Sequence, residues 1–306
     1  MSRAPAASPV DAAAAQQRAG LLAGLGAYAL WGLLPIYFKL LGGVSALELV
    51  AHRIVWSVLF LVFVLAGYRL WPALLRACRQ PRLIGALALS SLFIAANWTV
   101  YMWAIESDHI LAGSLGYFLN PLVNVLLGTL ILKETLRRGQ FIAVLIAGAG
   151  VAILAAGEWQ TLWISLTLAV SFGFYGLIRK VTPVDPAVGL AVETVILALP
   201  ALAYLYWLSD QGTLMFGHGW LLTLGLIGTG AITSVPLMLF ARAARSLTLI
   251  TLGVMQYIAP SIQFFIGILL YHETLSPERW ASFMLIWVAL ALFVWDSLRG
   301  RRSARP

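Results

Sequence analysis

Few side chains in this sequence can do chemistry, and most of those stand in apolar company. Glu48, His52 and Arg53 open an apolar run in the segment ALELVAHRIVW, and Glu193 stands inside another. An arginine at the centre of a membrane helix costs ~2.5 to 3.5 kcal/mol on the insertion scale, so ionisable groups so placed point to function. Arg53 is positioned to bind a substrate carboxylate or to pair with Glu193. Its structural alternative is snorkelling aided by Glu48. Glu193 and His52 are the groups able to take up and release a proton within the bilayer. His52, one helical turn from Glu48, fits a packing role as well.

A second set of polar groups is duplicated. Residues 112–136, AGSLGYFLNPLVNVLLGTLILKETL, return 139 positions later as residues 251–275, TLGVMQYIAPSIQFFIGILLYHETL. Pro121 falls on Pro260, Gly128 on Gly267, and Glu134-Thr135-Leu136 on Glu273-Thr274-Leu275. A proline inside a helix lacks the N–H that the carbonyl four residues earlier needs, so helix breaks are expected at Pro121 and Pro260. Tyr117, Pro121 and Asn124 share one helix face, as do Gln256, Pro260 and Gln263. The two faces read as walls of one central site, or else as bends with polar groups joining neighbouring helices. Asn97 and Tyr101 share a face of another run, and Ser171 and Tyr175 share one further on. Both pairs fit the protein interior, with or without substrate contact.

Other chemistries find no machinery. A single cysteine, Cys78, excludes an intrachain disulfide, and four scattered histidines show no metal-ligand spacing. No Gly-x-Ser-x-Gly, HExxH or Walker loop occurs, so no catalytic residue, metal or cofactor is expected. Gly24-Leu-Gly26 imitates a dinucleotide-binding loop but lies in an apolar 20-mer without a preceding strand. It reads as a helix-packing surface, as does the Gly20/Gly24 pair. The net charge of +8 sits in short joints between apolar runs rather than on one face, which argues against nucleic acid.

The elements that must position these residues are membrane helices. Hydrophobic residues make up 61% of the chain and charged ones 10%, with 12 tryptophans as interfacial anchors. Apolar runs of about the ~20 residues a span requires fall at 21–41, 46–67, 83–105, 110–132, 139–157, 161–178, 187–208, 219–241, 247–270 and 279–298. The expectation is an all-α polytopic protein of ten transmembrane helices in two inverted five-helix repeats, residues 21–157 and 161–298. Residues 1–20 read as a disordered cytoplasmic tail, residues 299–306 as a basic one. The first run is too long for a cleaved signal and reads as a retained helix. All Lys and Arg except Lys39, Arg53 and Arg279 fall on one side of this topology, which predicts cytoplasmic termini. The two Glu-Thr-Leu turns then lie on opposite sides, so the halves insert in opposite senses.

These features resemble the EamA-type permeases of the drug/metabolite transporter superfamily, and within it the RarD subgroup. The segments carrying the likeness are YALWGLLPIYFK at 28–39, ELVAHRIVWS at 48–57, GYFLNPL at 116–122, SFGFYGLIRK at 171–180 and QYIAPS at 256–261. The resemblance implies a bacterial cytoplasmic-membrane carrier, often an exporter, of a small organic metabolite or drug, with its cavity between the halves. Substrate contacts are expected from Arg53, Asn97, Tyr101, Tyr117, Asn120, Tyr175, Gln256 and Tyr257, and proton coupling from Glu193 or His52. A small solute and the lipid bilayer are the partners, and the oligomeric state is left open. The competing class is a membrane enzyme acting on a lipid-linked substrate, with Arg53 as phosphate ligand and Glu193 as general base. A channel fits less well, because no ring of like polar residues lines one helix face.

Overall fold

The computed structural model describes residues 9–107, 109–156, 159–272 and 276–303. Among these the chain is helix and turn. The helices are α1 (Pro9–Leu40), α2 (Ala46–Gly67), α3 (Trp71–Cys78), α4 (Pro81–Glu106), α5 (Ile110–Leu130) and α6 (Arg138–Ala156), then α7 (Leu162–Val181), α8 (Pro186–Asp210), α9 (Trp220–Ser246), α10 (Leu249–Met255), α11 (Ile258–Leu269) and α12 (Pro277–Ser303). Among the described residues, nine spans are long and apolar enough to cross a membrane, counting α10 and α11 as one. The 21-residue α5 packs among them.

Local chemistry sets the helix starts. Ser45 accepts from the Glu48 N–H at 3.3 Å to cap α2, and Asp185 accepts from the Ala187 N–H at 2.9 Å to cap α8 just before Pro186. Two findings differ from the sequence reading. Residues 9–20 are helical and continue into α1 rather than forming an unstructured tail, because their alanines and glutamines are good helix formers. The joint at Trp71-Pro72 holds the short helix α3, with proline tolerated in its first turn.

The prolines also part company. The chain breaks at Gln256 and Tyr257, between α10 and α11, where Pro260 leaves the Gln256 carbonyl without its helical donor, and that carbonyl accepts from the Ala259 N–H at 3.3 Å instead. At Pro121 the expected break is absent, and α5 runs through it. Close neighbours hold α5 in register on two sides. A Cβ on Gly116 would come within 2.8 Å of the Leu168 Cβ of α7. One on Gly253 would come within 2.9 Å of the Pro121 carbonyl oxygen. A Cβ on Gly24 would likewise come within 2.8 Å of the Met255 methyl group, which makes the apparent nucleotide loop a helix contact.

Packing is selective. Helix α1 lies against α9 and α4 against α7; α5 lies against α7 and α1 against α11; α2 lies against α9 and α4 against α8. Three further pairs are α2 with α8, α5 with α10 and α6 with α12. In the turn after α5, Glu134 accepts from the N–H groups of Leu249 at 2.8 Å and Ile250 at 3.0 Å, which satisfies the start of α10. Lys180 stands 3.8 Å from the same carboxylate and donates to the Ala244 and Leu247 carbonyls. The second Glu-Thr-Leu copy, residues 273–275, lies outside the described residues.

Overpacking a filled helix crossing costs about 1 to 3 kcal/mol. Gly253→Val is therefore expected to lower the midpoint of thermal unfolding in detergent, while Gly85→Ala, at a position with open space around it, leaves it unchanged.

Candidate functional site

Seven helices, α1, α2, α4, α5, α7, α9 and α11, surround a cavity of about 420 Å³. Trp31, Pro35 and Phe38 come from α1, Arg53 from α2, Asn97, Trp98 and Tyr101 from α4, and Tyr117 from α5. Gln256, at the break before α11, and Pro260 and Gln263 complete the opposite wall. The volume falls within the ~300 to 1,000 Å³ of small-molecule sites, and the lining has the usual character of apolar walls with few polar groups.

Arg53 is the only lining residue with a full charge. Its Nε donates to the Thr233 hydroxyl at 2.9 Å, and its guanidinium carbon stands 5.0 Å from the Trp98 ring centre and 5.4 Å from that of Phe38. Cation–π attraction stabilises a desolvated guanidinium by ~2 kcal/mol and leaves its charge in place. No carboxylate pairs with Arg53 among the described residues. Around it, the rings of Tyr101 and Tyr117 meet edge to face at 5.4 Å. Gln256 accepts from Asn124 at 3.0 Å, which ties α5 to the α10–α11 break. Asn97 lines the cavity with its amide nitrogen committed to the Leu168 carbonyl at 2.8 Å and Ser171 at 3.1 Å, so α4 is fixed to α7.

Other expected residues lie elsewhere. The anticipated Arg53–Glu193 pair is replaced by Arg179–Glu193 at 3.5 Å, with the Ser90 hydroxyl donating to the same carboxylate oxygen at 2.6 Å. Arg179 and Glu193 are each about 2% exposed, and their pairing, with the Pro186 carbonyl and the Ser90 hydroxyl as further partners, offsets the loss of hydration. Gly189, one turn before Glu193, gives the guanidinium its room, since a Cβ there would overlap it. Tyr175 and Glu193 share a small adjoining void with Arg53. His52 stands 3.6 Å from Glu48, accepts from the Trp56 indole at 3.2 Å and stacks on Phe216, all outside the cavity. Tyr257 donates to the Phe118 carbonyl at 3.3 Å on the far side of α5. Pro121 borders an apolar void there. Asn120 is buried outside the cavity, with neither end of its amide bonded to protein.

Arg179, Ser90 and Thr233 are partners that the sequence reading did not select. By its place in the sequence Arg179 reads as one of the charges of a cytoplasmic joint. A signal was nevertheless present, since Ser171, Tyr175 and Arg179 recur at four-residue spacing, a polar stripe along one face of α7.

Residues 18–156 match the EamA-like transporter family. A protein named RarD from Streptomyces exfoliatus is 45% identical over 291 residues, covering 95% of this chain and 92% of its own. The chain belongs to the RarD group of EamA-like transporters. A Vibrio cholerae relative described as an uncharacterized transporter is 42% identical, covering 94% of this chain and 95% of its own. A solved crystal structure with 19% identity superposes at a TM-score of 0.69 over 90% of this chain and 96% of that one, a likeness of fold. The protein is accordingly a multi-pass membrane transporter of the drug/metabolite superfamily, and its RarD relatives are bacterial.

Removing one member of a buried ion pair costs about 3 to 5 kcal/mol because the other is left desolvated and unpaired. Glu193→Ala should lower stability by that amount in denaturant titrations of the purified transporter. The double change Arg179→Met, Glu193→Leu should recover most of it.

Proposed function

We propose that this RarD-type protein is a secondary carrier that exports a small organic solute, binding it in the central cavity through a carboxylate or similar anionic group. The observation that carries this reading is Arg53, a charge held among Trp98, Phe38, Tyr101 and Tyr117 with no protein carboxylate paired to it among the described residues. A planar guanidinium bonds a carboxylate with two parallel donors, and the aromatic walls would cover the solute's apolar part. Gln256, Gln263 and the Tyr101 and Tyr117 hydroxyls are the groups that would orient it.

Alternating access by two inverted halves, α1–α6 and α7–α12, is the proposed mechanism. Ten spans are assigned, counting α5 and taking α10–α11 as one, in the cytoplasmic membrane with both termini inside. The packing supports a twofold relation. Exchanging each helix of one half for its counterpart converts α1–α9 into α7–α4, α5–α7 into α11–α1 and α2–α9 into α8–α4, and returns α2–α8, α5–α10 and α6–α12 to themselves. Lys180 sits at Glu134, and its counterpart Lys39 sits 3.5 Å over the Tyr271 ring, two residues before the second Glu-Thr-Leu. Under this topology the cavity residues Phe38, Ala46, Leu49 and Met102 belong to the outer half, and the Glu134–Lys180–α10 cluster closes the cytoplasmic side. The enzyme reading is less well supported, because Glu193 is committed to Arg179 and Ser90 away from the main cavity.

A thermal-shift screen of amino acids, purines and amphenicol drugs should return anionic ligands, since a compound bound only by the folded form stabilises it. The hit should show saturable flux in proteoliposomes. Loss of a charge-assisted hydrogen bond predicts affinity about 10- to 100-fold weaker in Arg53→Ala. Equal affinity in that variant, or flux that does not saturate, contradicts the assignment.

A further inference from the structure

Beneath the main cavity is a second space of about 20 Å³, lined by Arg53, Ser57, Tyr175, Glu193, Thr194 and Thr233, among apolar neighbours. One water needs ~10 to 15 Å³ and two to four polar partners; the void has room for one, and polar side chains stand at points on an otherwise apolar wall. The partners are waiting. The Tyr175 hydroxyl and Glu193 Oε2 are both buried and have no protein hydrogen bond. An empty apolar void would be stable dry, but leaving these two groups unbonded would cost each of them its desolvation penalty. Glu193 Oε1, by contrast, is already taken by Ser90 and Arg179.

The two oxygens of one carboxylate are therefore in different states: Oε1 is anchored by Ser90 and Arg179, and Oε2 is unbonded on a residue that lines the void. We propose that this void is a water site that relays protons between the Glu193 carboxyl and the central cavity, along Tyr175 and past Arg53. In the protonated state Oε2 carries the proton and donates it to the water. On release the proton passes through that water to the aqueous cavity, and the carboxylate left behind is held by Arg179 and Ser90. Reprotonation reverses the path, with the proton drawn from the water phase that fills the cavity. The charged and titratable groups facing Glu193 are Arg179 and Tyr175 from α7 and Arg53 from α2. Helix α4 presents Ser90, and α9 presents Thr233. Arg53, bordering both spaces, is where an anionic solute and the relay would compete or cooperate electrostatically.

The proposal rests on the central cavity being the transport site, and its test needs no solute, so its failure leaves that reading standing. Infrared difference spectra of the solute-free transporter in lipid, recorded after a pH jump, should contain a carboxylic C=O band that is sensitive to D₂O. Glu193→Gln should remove the band. The isosteric Tyr175→Phe should keep the band and slow its appearance about tenfold, the effect of weakening one relay hydrogen bond. A band that ignores D₂O, an unchanged rate in Tyr175→Phe, or no titrating band at any pH at which the protein stays folded would overturn the relay. Circular dichroism of each variant identifies one that has not folded, and Tyr175→Phe alone then decides.

Discussion

Hydrocarbon offers no partner to a charge or to a free backbone group, and this protein is arranged so that neither has to face it. Its intramembrane ionisable groups turn inward and toward each other: Arg179 to Glu193, His52 to Glu48, and Lys180 to Glu134 near the membrane edge. The loosened backbone before Pro260 faces the same interior, where Gln256 borders the cavity. Large apolar side chains such as Leu22, Phe63, Leu199 and Trp220 are left on the outside, where lipid is their solvent. Arg53 departs from the pattern, since its supports are a threonine and aromatic rings. That departure is what gives the central cavity its chemistry.

Stability alone does not account for the buried pairs. A buried ion pair replaced by well-packed apolar residues is often neutral or stabilising, so Arg179 and Glu193 are retained at a cost in desolvation. The Glu193 carboxylate oxygens are used unequally: one is bonded, the other is not, and the residue lines a small void that Arg53 also lines. Glu134 works differently: it lies in the first half of the sequence and satisfies the start of a helix in the second, so one side chain couples the two. Breaking that contact would free two backbone donors at once.

The sequence made the helices legible because membrane thickness fixes their length and apolar composition marks them. It also made six polar cavity residues legible, Arg53, Asn97, Tyr101, Tyr117, Gln256 and Gln263, because polar residues on apolar helices must face inward. Rotation about each helix axis was not legible to the same precision. Tyr257 is adjacent to Gln256 yet points across α5 to Phe118, and Asn120 misses the cavity that Tyr117 lines. Pro121 and Pro260 occupy equivalent repeat positions, yet α5 runs through the first while the chain breaks before the second. Arg179 was hidden by its sequence address: a basic residue beside a joint reads as a topology marker, and only packing against Gly189 reveals that it is buried. Residues 9–20 show the opposite effect, local helix propensity extending a span beyond its apolar core.

The central claim is that two halves of opposite orientation enclose the cavity, and the turns that close them test it most directly. In a Cys78→Ala background, Thr135→Cys and Ser276→Cys each place one thiol at an exposed turn position. Labelling of intact cells with a membrane-impermeant maleimide should modify the second and spare the first until the membrane is opened. Modification of both from the same side would contradict the inverted arrangement and the shared cavity built on it.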